Sequence, residues 1–292
     1  MKVHLVDGTY ELFRSYFGAP PRKARDRREV GATLGLLRSM HALVTAPGVT
    51  HIAVAFDHVI ESFRNQLFDG YKTSAGVPAD LLAQFPLAEE AVHALGVVVW
   101  PMVEFEADDA IGAAAARLAR QPQVEQIIVC SPDKDFAQLV DGRRIVCLDR
   151  RKNLVLDEAG VIEKFGVQPA SIPDWLGLVG DASDGYPGIP GWGAKSASAV
   201  LSRFPHLEAI PEDPRSWGLP SARATRLAES LAAHRKEAEL FRYLATLRLD
   251  APVAEELEDL EWRGARSELR GLCERWNDSG FLARISRWRN ER

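Results

Sequence analysis

Cysteine is scarce in this 292-residue chain: Cys130, Cys147 and Cys273 are the whole complement, odd in number and without a C-x-x-C pair. That excludes a disulfide framework and a thiolate zinc centre, and the three read as small buried or neutral residues. Long apolar runs are missing as well. No uninterrupted hydrophobic stretch approaches the roughly 20 residues that span a bilayer. The N-terminus MKVHLVDGTY lacks the charged region, apolar stretch and small-residue cleavage site of a secretory signal and reads as a buried strand. The expected setting is the cytoplasm, with no membrane partner. No internal repeat or low-complexity tract is evident. Positive charge is short too, with 36 Lys and Arg against 41 Asp and Glu. A formal net charge of −5 ordinarily counts against binding phosphates.

What is present is ordinary globular composition, 46% hydrophobic and 26% charged, which argues against wholesale disorder. The first part alternates short apolar β-branched runs with helical patterns: VHLVD at the start, HIAVAFD from His51, VVVW from Val97, QIIVC from Gln126 and RIVCLD from Arg144. Strands separated by helices imply an α/β fold with a mainly parallel central sheet flanked by helices. After about Pro169 the strand signals fade and helical patterns take over, from PDWLGLVG to EAELFRYLATL, with a final helical segment expected through Trp276 to Trp288. The expected organisation is an α/β domain over 1–168 and a helical region over 169–292.

Acids occupy distinctive places in this pattern. Asp7 and Asp57 end strands, Asp133 lies just past the QIIVC strand, and Glu106, Asp108 and Asp109 open the helix EADDAIGAAAARLAR. Carboxyl ends of parallel strands are where ligand sites form. Asp135 follows, and Asp181 and Asp184 stand three apart. Each has an ordinary explanation as a turn or helix-cap residue, and acids in a first helical turn suit the helix dipole. Their joint placement is what points to chemistry. An oxygen-only set without His or Cys favours Mg²⁺ or Mn²⁺. Nine converging carboxylates would repel one another without cations. Two divalent ions about 4 Å apart would activate a water and stabilise the leaving oxygen in phosphodiester hydrolysis. Setting those nine charges aside leaves +4 on the rest of the chain.

Two further stretches concern a polyanionic partner. A segment at about 62–85 carries Gly, Ser and Pro in its middle and reads as a partly helical excursion over the sheet edge, and PPRKARDRRE at Pro20 to Glu29 is a basic run. In GYPGIPGWGAKSASAVL, about 185–201, Gly188, Gly191 and Gly193 leave backbone N–H groups accessible ahead of a helix start and Lys195. That is either a phosphate-holding hairpin or a tight connection between helices.

Six motifs then carry a resemblance: LVDG at Leu5, AFD at Ala55, SFRNQLFDGYK at Ser62, EADDAIG at Glu106, SPDKDFAQLV at Ser131 and LVGDASDGYPGIPGWGAKSA at Leu178. In this order they resemble the 5′–3′ exonuclease and flap endonuclease superfamily, and within it the 5′ nuclease domain of bacterial DNA polymerase I. The resemblance covers the chain to about Phe204 and is diffuse beyond. It implies a PIN/5′-nuclease-like fold with a helix-hairpin-helix element, and a first divalent cation held mainly by Asp7, Asp57, Glu106 and Asp108. A second would be held mainly by Asp135, Asp181 and Asp184, with Asp109 and Asp133 between or behind. It implies that 62–85 is an arch, with Lys72 at the scissile phosphate, Arg64 in phosphate contact and Tyr71 stacking on a terminal base. The bland readings of the last two are a surface cation and a core aromatic. It implies K⁺ at the hairpin, DNA with a free or branched 5′ end as partner, and a monomer. Thr73, Ser74 and Ala75 depart from the further basic residue that usually follows YK in polymerase-type relatives. With no polymerase module, the expectation is a stand-alone nuclease or one acting beside a separate polymerase. The alternatives are a branched-DNA-binding protein with little catalysis, and an RNA-directed or primer-removing nuclease.

Overall fold

The computed structural model describes residues 1–289 and contains two compact units, one of 1–62, 74–131 and 249 onwards, the other of 63–73 and 132–248. In the first, the elements run β1 (Lys2–Asp7), α1 (Gly8–Gly18), α2 (Gly31–Val44), β2 (His51–Asp57), α3 (Ala79–Leu82), α4 (Phe85–Ala94), β3 (Val98–Met102), α5 (Ala107–Leu118) and β4 (Gln126–Cys130). Its strands pair in parallel in the order β3-β2-β1-β4, with Leu5 opposite Ala53 and Val129, and Ala53 opposite Val98. β1 has a neighbour on each side and helices such as α5 pack on the sheet, so Val3, Leu5 and Val6 are wholly buried. A strand covered on both faces reads as a continuous apolar run. The parallel order brings Asp7 and Asp57 to the same edge, the carboxyl ends of β1 and β2.

The second unit is mostly helical. It holds an antiparallel pair, β5 (Ile145–Asp149) and β6 (Leu154–Leu156), in which Cys147 faces Leu156. Then come α6 (Glu158–Phe165), α7 (Ile172–Val179), α8 (Ala194–Leu201), α9 (Ser221–Ala233) and α10 (Arg235–Ala245). α7 and α10 approach closely at Gly177, where a Cβ would lie 2.7 Å from Ala238 O and 2.9 Å from Arg242 N. Buried Asp174 locks that crossing by accepting from Arg242 Nη1 (3.2 Å) and Leu207 N (3.0 Å).

From Leu249 the chain belongs again to the first unit, whose last helix is α11 (Glu268–Arg275). Trp262 anchors this return, its backbone N–H donating to Thr50 O (2.8 Å) and its indole to Leu95 O (2.9 Å). Division by compactness therefore differs from the sequential 1–168 and 169–292 expected above, and it also parts the arch segment after Thr73. Trp276 to Trp288 is not one helix. α11 stops before Trp276, Asn277 takes a positive φ of 55°, and only a 3-10 turn at Ser279–Arg284 follows. Among the described residues no helix is long and apolar enough to cross a membrane.

Candidate metal centre

In the second unit, ligand oxygens of Asp135, Asp181 and Asp184 all lie within 4.8 Å of one another. Each is fixed by its local backbone. Asp135 opens a 3-10 turn (Asp135–Leu139), and its N–H donates to Asp133 Oδ1 (2.9 Å). Gln138 ties that turn to the end of α10: its amide donates to Asp135 O (2.8 Å) and Ala245 O (2.9 Å), and its oxygen accepts from Leu247 N (3.0 Å). Asp181 follows α7 through Gly180, and its Oδ1 accepts from Ser183 N (2.9 Å). Asp184 N-terminally adjoins Gly185, whose N–H donates back to Asp181 O (2.9 Å).

These acids are under electrostatic stress. Asp135 is 5% exposed and its Oδ1 has no hydrogen-bond partner among the described residues. Burial, then the charges of Asp133, Asp184 and Asp181, push its carboxyl well above the usual carboxylate range, and Lys134 only partly offsets them. Two ammonium groups face the cluster, Lys134 Nζ at 2.5 Å from Asp181 Oδ2 and Lys72 Nζ at 3.0 Å from Asp184 Oδ1. Burial opposes the Lys134 charge, but the bond and attraction to Asp181 outweigh it and hold that ammonium above its usual range. An oxygen-only donor set with an orphaned, buried carboxylate oxygen fits a hard divalent cation.

Lys72 is brought there by backbone. Gly185 has φ +90°, and a Cβ on it would sit 2.1 Å from Gly70 O, so only glycine allows the 63–73 segment to lie so close. The approach lets Lys72 N donate to Asp184 O (2.9 Å). Tyr71 is 3% exposed, a core aromatic with Lys72 Nζ 5.5 Å from its ring centroid. Arg64 is 2% exposed rather than a surface cation. Its Nε donates to Leu244 O (2.8 Å) and Nη2 to Thr246 O (3.2 Å), which caps the carbonyl end of α10.

The five acids of the first unit are arranged around strand ends and the start of α5. Asp7 caps α1 by accepting from Tyr10 N (2.8 Å), and its second oxygen accepts from Ser131 Oγ (3.0 Å). Asp57 Oδ1 accepts from Ala107 N (2.8 Å), the first residue of α5. Glu106, 3% exposed, accepts from Ser62 Oγ at 2.6 Å. Asp109 is wholly buried and its side chain closes a capping box by accepting from Glu106 N (3.0 Å). Asp108 is half-buried on the first turn of α5. Among the described residues, three acids meet the close mutual spacing only at Asp135, Asp181 and Asp184.

The hairpin joining α7 and α8 begins with an antiparallel bridge, Asp181 opposite Tyr186. Gly188 has φ +71°, and a Cβ there would strike Val179 C at 2.4 Å. Gly191 (φ +79°) and Gly193 face open space, Gly193 caps α8, and Lys195 is exposed in its first turn. Sequence reasoning missed Gln138 and Lys134, although both lie within SPDKDFAQLV, and it missed Tyr186 in the hairpin. An amide, a lysine and a tyrosine carry no periodic or spacing signal of their own.

An α/β chain that gathers acids at parallel strand ends, and clusters three more with lysines beside them, has the make-up of a metal-dependent phosphodiester hydrolase. The chain belongs to the 5′-3′ exonuclease family: the model of the 5′-3′ exonuclease N-terminal resolvase-like domain matches residues 2–166, and that of the C-terminal SAM fold matches 167–268. It is therefore a 5′ nuclease by family. It is 34% identical over 253 residues to the 5′-3′ exonuclease of Buchnera aphidicola subsp. Baizongia pistaciae, covering 85% of this chain and 82% of that protein. It is 33% identical over 291 residues to DNA polymerase I of Bacillus caldotenax, covering 97% of this chain but only 32% of the relative. Its fold resembles T5 5′-exonuclease with bound zinc (TM-score 0.65, 17% identity, 85% of this chain and 90% of that one). It also resembles the catalytic core of Rad2 in complex with DNA substrate (TM-score 0.60, 14% identity, 95% and 88%).

Proposed function

We propose that the chain hydrolyses DNA phosphodiester bonds at free 5′ ends or 5′ flaps in replication or repair. The observation that carries this reading is the buried grouping of Asp135, Asp181 and Asp184 with Lys72 on its rim. Asp135, Asp181 and Asp184, with Asp133 behind them, hold one divalent cation, and Asp7, Asp57, Glu106 and Asp108, steadied by Asp109, hold another. Mg²⁺ or Mn²⁺ suits both all-oxygen sets, and such a cation supplies Lewis acidity at a phosphate oxygen and a lowered pKa for water. The chain's own contribution is charge and orientation. Lys72, 28% exposed at its side chain, has the freedom to pass from Asp184 to a phosphate oxygen and offset the charge that develops there. Arg64 acts through the end of α10, and Tyr71 supports Lys72 from beneath.

Helices α7 and α8 with their hairpin serve as a helix-hairpin-helix grip on the duplex backbone, using open Gly191 and Gly193 and exposed Lys195, with K⁺ as the ion of that element. The DNA-bound Rad2 core has the same overall fold, which supports DNA as the partner. The chain works as a monomer in the cytoplasm.

The test is cleavage of a labelled 5′-flap duplex by purified protein with Mg²⁺ or Mn²⁺, compared with Asp181→Ala. Cutting to 5′-phosphate and 3′-hydroxyl products, lost in the variant while binding persists, is expected. An intact flap under conditions of demonstrable binding by the unmodified chain refutes the reading.

A further inference from the structure

The hairpin residue Tyr186 is 1% exposed, and its hydroxyl has no hydrogen-bond partner among the described residues. A buried hydroxyl left unsatisfied costs about 1–3 kcal/mol, so its retention in place of phenylalanine calls for a use. The ring is firmly placed. It stacks on Phe241 of α10 at 5.6 Å and 20°, and Phe68 meets the same Phe241 edge-on at 5.5 Å. The backbone is pinned to the cluster, with Asp181 N donating to Tyr186 O (2.8 Å) and Tyr186 N to Asp181 O (3.1 Å). Burial first, then the charges of Asp135, Asp184, Asp181 and Asp133, hold the hydroxyl far above the usual phenol range. A tyrosine hydroxyl can donate, and Tyr186 stands opposite Asp181 in the antiparallel bridge, beside groups that when ionised can only accept. The same cluster contains an orphaned acceptor, Asp135 Oδ1.

We propose that Tyr186 is a positioning residue of this centre: with a divalent cation bound, its hydroxyl donates to the Asp135 carboxylate and fixes which oxygen faces the cation. This rests on the metal reading above. A donor of this kind favours the ionised carboxylate and removes its freedom to rotate, and hydrogen-bond partners behind metal ligands typically change cation affinity by about 10–100-fold.

The test is Tyr186→Phe in the full chain, which keeps the ring and its stack on Phe241. Mn²⁺ binding is measured by titration calorimetry and electron paramagnetic resonance, beside the melting temperature without cation. The expected result is Mn²⁺ affinity about tenfold weaker at the Asp135 centre, an altered Mn²⁺ resonance spectrum, and a cation-free melting temperature unchanged or raised. Equal Mn²⁺ affinity and spectrum in the two proteins overturn the role of Tyr186 and leave the metal reading standing. Failure of the unmodified chain to bind Mn²⁺ overturns the metal reading, and the inference with it. A variant that melts lower without cation and binds Mn²⁺ normally marks the hydroxyl as structural and also overturns the inference.

Discussion

Replacing Asp135 by asparagine should make the cation-free protein more stable while removing its response to divalent metal. Asp135 is 5% exposed, has an orphaned Oδ1, and is repelled by Asp133, Asp184 and Asp181, with Lys134 opposing them. An asparagine of the same shape carries no charge, and its amide can donate to those carboxylates. Relief of one unsatisfied buried oxygen is worth about 1–3 kcal/mol, and for a chain of this size each kcal/mol moves the melting temperature by about 2 °C. The variant should therefore melt about 2–6 °C above the unmodified chain in chelator. Added Mn²⁺ at a hundredfold excess over Kd stabilises the unmodified chain by about 2.7 kcal/mol, or about 5 °C. The variant, lacking a ligand, should gain much less, so the order of stability narrows or reverses. Differential scanning calorimetry in chelator and in Mn²⁺ checks both halves. A variant that melts lower in chelator, or shifts with Mn²⁺ as much as the parent, refutes the account of a cluster strained in order to bind cations.

Gly185→Ala places a Cβ at φ +90° and 2.1 Å from Gly70 O. It should cost at least about 2 kcal/mol in urea denaturation and, by displacing Lys72, lower flap cleavage by at least about tenfold. Acid should weaken the first unit before it weakens metal-independent features of the second. Burial leads in holding His41, His51 and His93 below the ordinary imidazole value of 6.5. At His41 a hydrogen bond with the Arg284 backbone opposes it and the Arg284 charge adds less to it; Glu261 and Glu258 oppose it at His51 and Glu268 at His93, while the N-terminus adds to it at His51 and Arg266 and Arg289 at His93. The folded chain then binds these protons less tightly than the unfolded chain. The stability they confer is whole above about pH 6.5 and is lost as pH falls through their lowered values. A melting temperature that does not fall between pH 7.5 and 5.5 refutes this.

The α/β fold was legible because its strands are buried on both faces and read as apolar runs, and because acids follow those runs directly. β6 escaped notice since Leu154 and Val155 are exposed on a short edge. The return of residues beyond Leu249 to the first unit was not readable either, because it depends on single anchors such as Trp262 rather than on periodicity. In the site, Asp135, Asp181 and Asp184 were found by residue type and spacing, and the structure groups them. Their supports were not found: Gln138, Tyr186 and the carbonyls at the end of α10 act through backbone geometry and stacking, which leave no pattern in a sequence. Arg64 was singled out, but its burial and its bonds to Leu244 and Thr246 could be learned only from the fold.

The carbonyl end of α10 is gripped by Arg64 and Gln138, and one turn earlier Phe241 carries the ring of Tyr186. Three stretches distant in sequence thus take their positions from one helix that adds no acid to the Asp135 cluster. The smallest fragment able to form this centre must consequently run through Leu247, well past the last recognisable motif. A chimera assembled from the motifs alone would inherit every carboxylate and lose the frame that holds them in register.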